Sequence, residues 1–245
     1  MLTFVAASTQ SKNLTFSTSR PPLPLPTTLA PEPAVYFSRA FQALNQAIGF
    51  SDELNHIIAT VEEVTTALNL LHLSIHAETA NPDPDPLSLR ETLTSIQYSL
   101  LSIDSKSTEY AKPTRKSEVQ EICRLGILLY LVTILSEFPP GASVCNMLAE
   151  KLQRSLEYTA PEHGLTVQLR LWLMFLASSS TVISAANKTW FTASLMDIVS
   201  KFGVSRRWED VKTILMSFFW VEKIHGESFA ILCRQYGGAM VGEEE

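Results

Sequence analysis

Leu54, Ile57, Ile58, Val61, Val64, Leu68 and Leu71 recur at intervals of three and four, the spacing that puts side chains on one face of an α-helix. The same period returns in segment after segment from Ala34 to Tyr236, whereas alternating, strand-like runs are nearly absent. This pattern constrains the fold more than any other feature, because each apolar stripe has to be covered by another helix. The expected fold class is all-α, a compact multi-helix array of about eight or nine helices over residues 34–238. No fixed-period internal repeat of the tetratricopeptide or armadillo kind is present, so a regular solenoid is not expected.

Punctuation residues set the boundaries. The first stripe, Val35, Phe37, Phe41, Leu44 and Ile48, stops at Gly49. Ser51 is then the expected N-cap of a long helix that reaches about Ala77, with Asp52 and Glu53 as first-turn acids. The run Asn81 to Leu87, NPDPDPL, reads as a connecting loop, because proline has no amide donor and restricts the residue before it. The period resumes through Leu89, Leu93, Ile96, Leu100 and Ile103, gives way to a polar loop over Asp104 to Lys116, and returns from Glu118 to Phe138 before the stop at Pro139-Pro140-Gly141. Further helices are expected over Ala142 to Tyr158, Gly164 to about Ser184, Lys188 to Phe202 behind an Asn187 cap, Trp208 to Val221, and Glu227 to Tyr236. In the last long one, Trp208, Val211, Ile214, Leu215 and Phe218 form the stripe, and Phe219 and Trp220 widen it. Residues 1–33 are rich in serine, threonine and proline and are expected to form a disordered tail, and residues 239–245 an acidic C-terminal tail. The Pro21-Pro22-Leu23-Pro24 run is read as a spacer rather than an SH3-type ligand.

Charge and cysteine content narrow the class of partner. With 46% hydrophobic and 18% charged residues the chain can bury a sizeable core, and its formal net charge of −6 offers no basic excess to neutralise phosphates, so direct nucleic-acid binding is not expected. Three scattered cysteines, Cys123, Cys145 and Cys233, suit reduced thiols inside a cell better than a disulfide framework. The N-terminus lacks the basic n-region of a secretory signal, and the sequons at Asn13 and Asn187 are discounted on that ground. The most apolar segment, Leu165 to Ile183, is interrupted by Gln168 and Arg170, and reads as a buried helix rather than a membrane span.

Catalytic groupings find no anchor on this scaffold. His72 and His76 have the four-residue spacing of a zinc pair, but no glutamate follows His72 and no third ligand is evident, so no metal site is expected. Asp83 and Asp85 are held apart by prolines and cannot share a helix face. A nucleophile elbow, a Walker A loop and a dinucleotide-binding turn are all absent from a chain with nine glycines. Cys145 has no histidine near it in sequence and reads as a buried thiol. No catalytic or metal-binding residue is assigned, no cofactor is called for, and an enzyme is not expected. Trp172, Trp190, Trp208 and Trp220 are candidates to line an effector pocket, with core packing as the default for aromatic residues at helical spacing.

Three blocks carry a resemblance: SLRETLTSIQYSLLSI; EICRLGILLYLVTILSEFPP; and the long stretch from Leu169 to Cys233, with Trp172, Trp190-Phe191, Trp208-Glu209-Asp210-Val211-Lys212 and Phe218-Phe219-Trp220. Over roughly residues 87 to 236 the chain resembles the fungal-specific transcription factor domain, the helical regulatory region that follows a binuclear zinc cluster in many fungal regulators. Arg207 stands where that family often places a serine cap. The zinc cluster itself, which needs six closely spaced cysteines amid basic residues, has no counterpart in this sequence. The resemblance implies a nuclear regulatory domain acting on RNA polymerase II transcription. Its expected partners are proteins of the transcription machinery, a homologous regulator or a small-molecule effector, with neither nucleic acid nor membrane bound by this chain. The alternatives are a cytoplasmic helical adaptor and, behind it, a helical enzyme with an unrecognised site.

Overall fold

Two helices buried on nearly every side organise the chain. In the computed structural model, which describes residues 38–74, 86–104, 114–135, 138–159, 164–201 and 208–236, they are α4, Arg115–Leu135, and α6, Gly164–Ser179. Every residue from Ile122 to Thr133 of α4 is buried, as is every residue from Leu171 to Ala177 of α6. A helix apolar all round has to be sheathed by others. Here the sheath comprises α1 (Arg39–Ile48), α2 (Asp52–Ser74), α3 (Pro86–Asp104), α5 (Ser143–Tyr158), α7 (Ala185–Lys201), α8 (Trp208–Met216) and α9 (Glu227–Tyr236). The described residues thus form nine α-helices, one π-helical turn at Glu222–Gly226, and no strand, as the sequence period requires. Chain neighbours pair as α2 with α3, α4 with α5 and α6 with α7, and α6 also meets α1, α4 and α8.

Close approach of α4 to α6 depends on Gly126. A Cβ there would lie 2.2 Å from a Leu173 methyl and 3.3 Å from the Trp172 ring. The one charge inside α4, Arg124, is 3% exposed and fully answered. Its Nε and Nη2 donate to the two carboxylate oxygens of Glu121 at 2.7 and 2.8 Å, and its Nη1 donates to the Leu100 carbonyl at the end of α3 at 3.1 Å. Lys151 on α5 reaches the same Glu121 at 3.2 Å, so one carboxylate holds together two helices and a buried cation.

Several boundaries follow the sequence signals. Gly49 takes the left-handed conformation, φ 71°, that ends α1, and the Leu54 amide donates to the Ser51 hydroxyl at 3.3 Å. Others shift. Pro86 and Leu87, expected in a loop, form the first turn of α3, where a missing amide hydrogen is no loss. Helix α4 starts three residues before Glu118, because Thr114 and Ser117 cap each other: the Thr114 amide donates to Ser117 Oγ at 2.8 Å and the Ser117 amide to Thr114 Oγ1 at 3.2 Å. Helix α6 stops at Ser179 rather than near Ser184. The following residues are fixed by long-range bonds, Gly141 N–H to the Val182 carbonyl at 3.0 Å and Ser184 N–H to Asn146 Oδ1 at 2.9 Å. Ser184 also takes the capping role expected of Asn187, accepting the Asn187 amide at 3.4 Å, so α7 begins at Ala185.

The largest departure lies at Trp208 to Val221, which is not one helix. Helix α8 ends at Met216, and Phe218, Phe219, Trp220 and Val221 are all buried in a non-helical segment. Four consecutive buried apolar residues cannot lie on one helical stripe, whereas a turn followed by extended backbone sends them to both sides. Its polar backbone groups find other partners: the Phe218 amide donates to the Leu215 carbonyl, Trp172 Nε1 to the Phe219 carbonyl at 3.3 Å, and Asn69 Nδ2 to the Trp220 carbonyl at 2.8 Å.

The expected tails, residues 1–33 and 239–245, lie outside the described residues, as do His76, Asp83, Asp85 and Arg207.

Candidate functional site

The four tryptophans go to different places. Trp172 is sealed in the centre, stacked on Phe218 with ring centres 5.2 Å apart and edge-on to Phe41 at 5.6 Å. Trp220 is buried beside Phe175 and His225, and its Nε1 donates to Glu222 at 2.6 Å. Burial opposes the Glu222 charge, but the indole N–H and the Lys212 ammonium at 3.0 Å outweigh it and hold the carboxyl below its usual pKa. Trp208 is half-buried against Phe229. Trp172, Trp208 and Trp220 pack as core, the default reading, and Trp190 alone of the four opens on a cleft of useful size.

Sequence reasoning did not single out His225, yet it sits in the middle of the aromatic hub. It is 2% exposed, stacks on Tyr130 at 5.7 Å, and accepts the Val221 amide on Nδ1 at 2.9 Å. That bond leaves the proton of the neutral ring on Nε2. Burial pushes its pKa down to about 4, although the Glu222 charge opposes the shift. Tyr130 shares a 2.7 Å hydrogen bond with Thr65, and burial raises its pKa above the ordinary range. A gap of about 80 Å³ at the edge of the hub, beside Ser38, Thr65 and Phe219, is too small for an organic ligand.

A larger cleft of about 310 Å³ opens where the end of α5 meets α6 and α7. Trp190, Met174 and Ile198 form its apolar wall; Arg170, Ser194 and Asp197 supply polar groups; Tyr158, 86% exposed, stands at the mouth. Arg170 is the lone charge in the apolar run of α6, a sequence signal that was available, since such a residue has to reach a partner. It reaches the C-terminal end of α5, where Nη2 donates to both the Leu156 carbonyl and that of the C-cap residue Thr159. Burial lowers the pKa of its guanidinium, which remains protonated.

Cys123 and Cys145 are buried; burial raises the pKa of both thiols, that of Cys145 to about 11, which disfavours the thiolate. Among the described residues no cluster of three or more His, Cys, Asp or Glu could hold a metal ion, and no helix is long and apolar enough to cross a membrane.

No curated protein and no solved structure matches this chain. The fungal specific transcription factor domain does, over residues 5–220. The match takes in most of the segment expected to be a tail, starts well before the blocks that carried the resemblance, and ends at Trp220, ahead of the π-helical turn and α9. Covering far more than half of the sequence, and in accord with its all-helical fold, it places this chain in the fungal specific transcription factor domain family, a family with a regulatory role in transcription.

Proposed function

We propose that the chain is the regulatory part of a fungal transcription regulator, working in the nucleus on RNA polymerase II transcription through contacts with proteins or a small-molecule effector, and making no DNA contact of its own. The observation that carries this reading is the family match over residues 5–220. The lack of DNA contact is supported by the net charge of −6 and by three scattered cysteines, too few for a zinc cluster. On this reading residues 34–238 act as one regulatory domain, with residues 1–33 and 239–245 as its tails.

Fusion to an unrelated DNA-binding domain tests the proposal. The fusion is expected to raise or lower transcription of a reporter carrying the matching sites, relative to the DNA-binding domain alone. A fusion that accumulates in the nucleus yet leaves the reporter at the control level overturns it.

A further inference from the structure

We infer that the cleft between α5, α6 and α7 binds a small aromatic carboxylic acid, its carboxylate against Arg170 and its ring against Trp190, Met174 and Ile198.

The chain itself shows how it treats a guanidinium whose role is purely structural. Arg124 is answered by both oxygens of Glu121. Arg170, half-buried and lining the cleft, has no carboxylate partner among the described residues. Its Nη2 hydrogens go to the Leu156 and Thr159 carbonyls, and among the described residues Nε and Nη1 have no acceptor. A partly desolvated cation without a counter-ion favours an anionic ligand, because the ligand supplies the missing charge where water is already partly excluded.

The two acids of the lining do not cancel this preference. Asp197 is paired with Lys201 at 2.8 Å, and Glu157 is exposed to solvent, which screens it, while accepting from Gln153 at 2.9 Å. Among the described lining residues the strongest unanswered charge is therefore positive. The apolar wall fixes the rest of the ligand: Trp190 offers a half-buried ring, held edge-on by Phe191 at 4.9 Å, on which a second aromatic system can stack. A volume of about 310 Å³ suits a one- or two-ring molecule and lies at the small end of ligand cavities.

This deepens the regulatory reading, and only the ligand's role as an effector rests on that reading. Calorimetric titration of the purified full chain tests the binding, with indole-3-acetate as probe and tryptamine, its cationic counterpart, as control. Indole-3-acetate is expected to bind saturably with a Kd below about 1 mM, and tryptamine at least about tenfold more weakly. Arg170→Gln should weaken indole-3-acetate by about tenfold or more. Ser194→Trp, which fills the cleft and leaves the Arg170 bonds to α5 in place, should abolish binding, and it decides the matter alone if Arg170→Gln fails to fold. No saturable heat with indole-3-acetate, equal binding of tryptamine, or unchanged affinity in folded Ser194→Trp overturns the inference. A chain that binds but whose reporter fusion is inert overturns the regulatory reading instead, and an active fusion of a chain that does not bind overturns only the cleft.

Discussion

Trp172 and Trp190 are the same side chain on neighbouring helices, and they illustrate two kinds of region in this molecule. Trp172 is surrounded by Phe41, Tyr130, Phe218 and Phe219, and its one polar atom donates to a backbone carbonyl. Nothing there remains for a ligand to satisfy. Trp190 is half-buried and faces a cleft whose cation has no carboxylate partner among the described residues. Crowding of aromatic residues therefore marks the core of this protein, whereas the proposed ligand cleft pairs one aromatic with an incompletely answered charge.

The largest expected difference is in stability. Trp172→Ala should cost about 3–5 kcal/mol in denaturant unfolding, as core tryptophan truncations do, and Trp190→Ala below about 2 kcal/mol because its ring is half-exposed. Equal losses would erase the distinction between hub and cleft.

Acid should act on the hub next. The unfolded chain takes up the His225 proton near the ordinary value of 6.5, and the folded chain only at about 4. Stability from this group is thus full above about pH 6.5 and lost as pH falls toward about 4, on the order of 3 kcal/mol in all. Unfolding midpoints across that range should fall more steeply in the native chain than in His225→Asn, whose amide oxygen can still accept from Val221 but does not titrate. Parallel slopes would remove His225 as the cause.

A smaller effect is expected at the anchor of the non-helical segment. Asn69 donates to the Trp220 carbonyl and accepts the Glu222 amide at 3.1 Å, so Asn69→Ala should destabilise by about 1–2 kcal/mol. Hydrogen exchange at the Glu222 amide should rise in that variant; unchanged exchange would show that the segment is held by its aromatic residues alone.

Much of this architecture was legible because helical periodicity is a local property. The stripes through Leu54 to Leu71 and Ile122 to Leu135, the Gly49 and Pro139-Pro140-Gly141 stops, and the burial of Trp172 all follow from residue spacing. The break after Met216 was signalled more faintly, by four apolar residues in a row that no single helix face can bury. The cleft was not legible at all. Arg170 stood out in sequence only as an interruption of an apolar run, and nothing near it indicated that the end of α5 would take one edge of its guanidinium.

The sequence by itself determined that the fold is all-α and which apolar stripes its helices bury. Tertiary structure alone decided where the backbone leaves the helix and which polar groups remain unanswered. Those outcomes depend on partners far away along the chain: Asn69 reaches a carbonyl 151 residues later, and Tyr130 meets a threonine 65 residues earlier. A stripe can be read from intervals of three and four, but hydrogen-bond and charge balance exist only once distant segments are brought within 3 Å of one another.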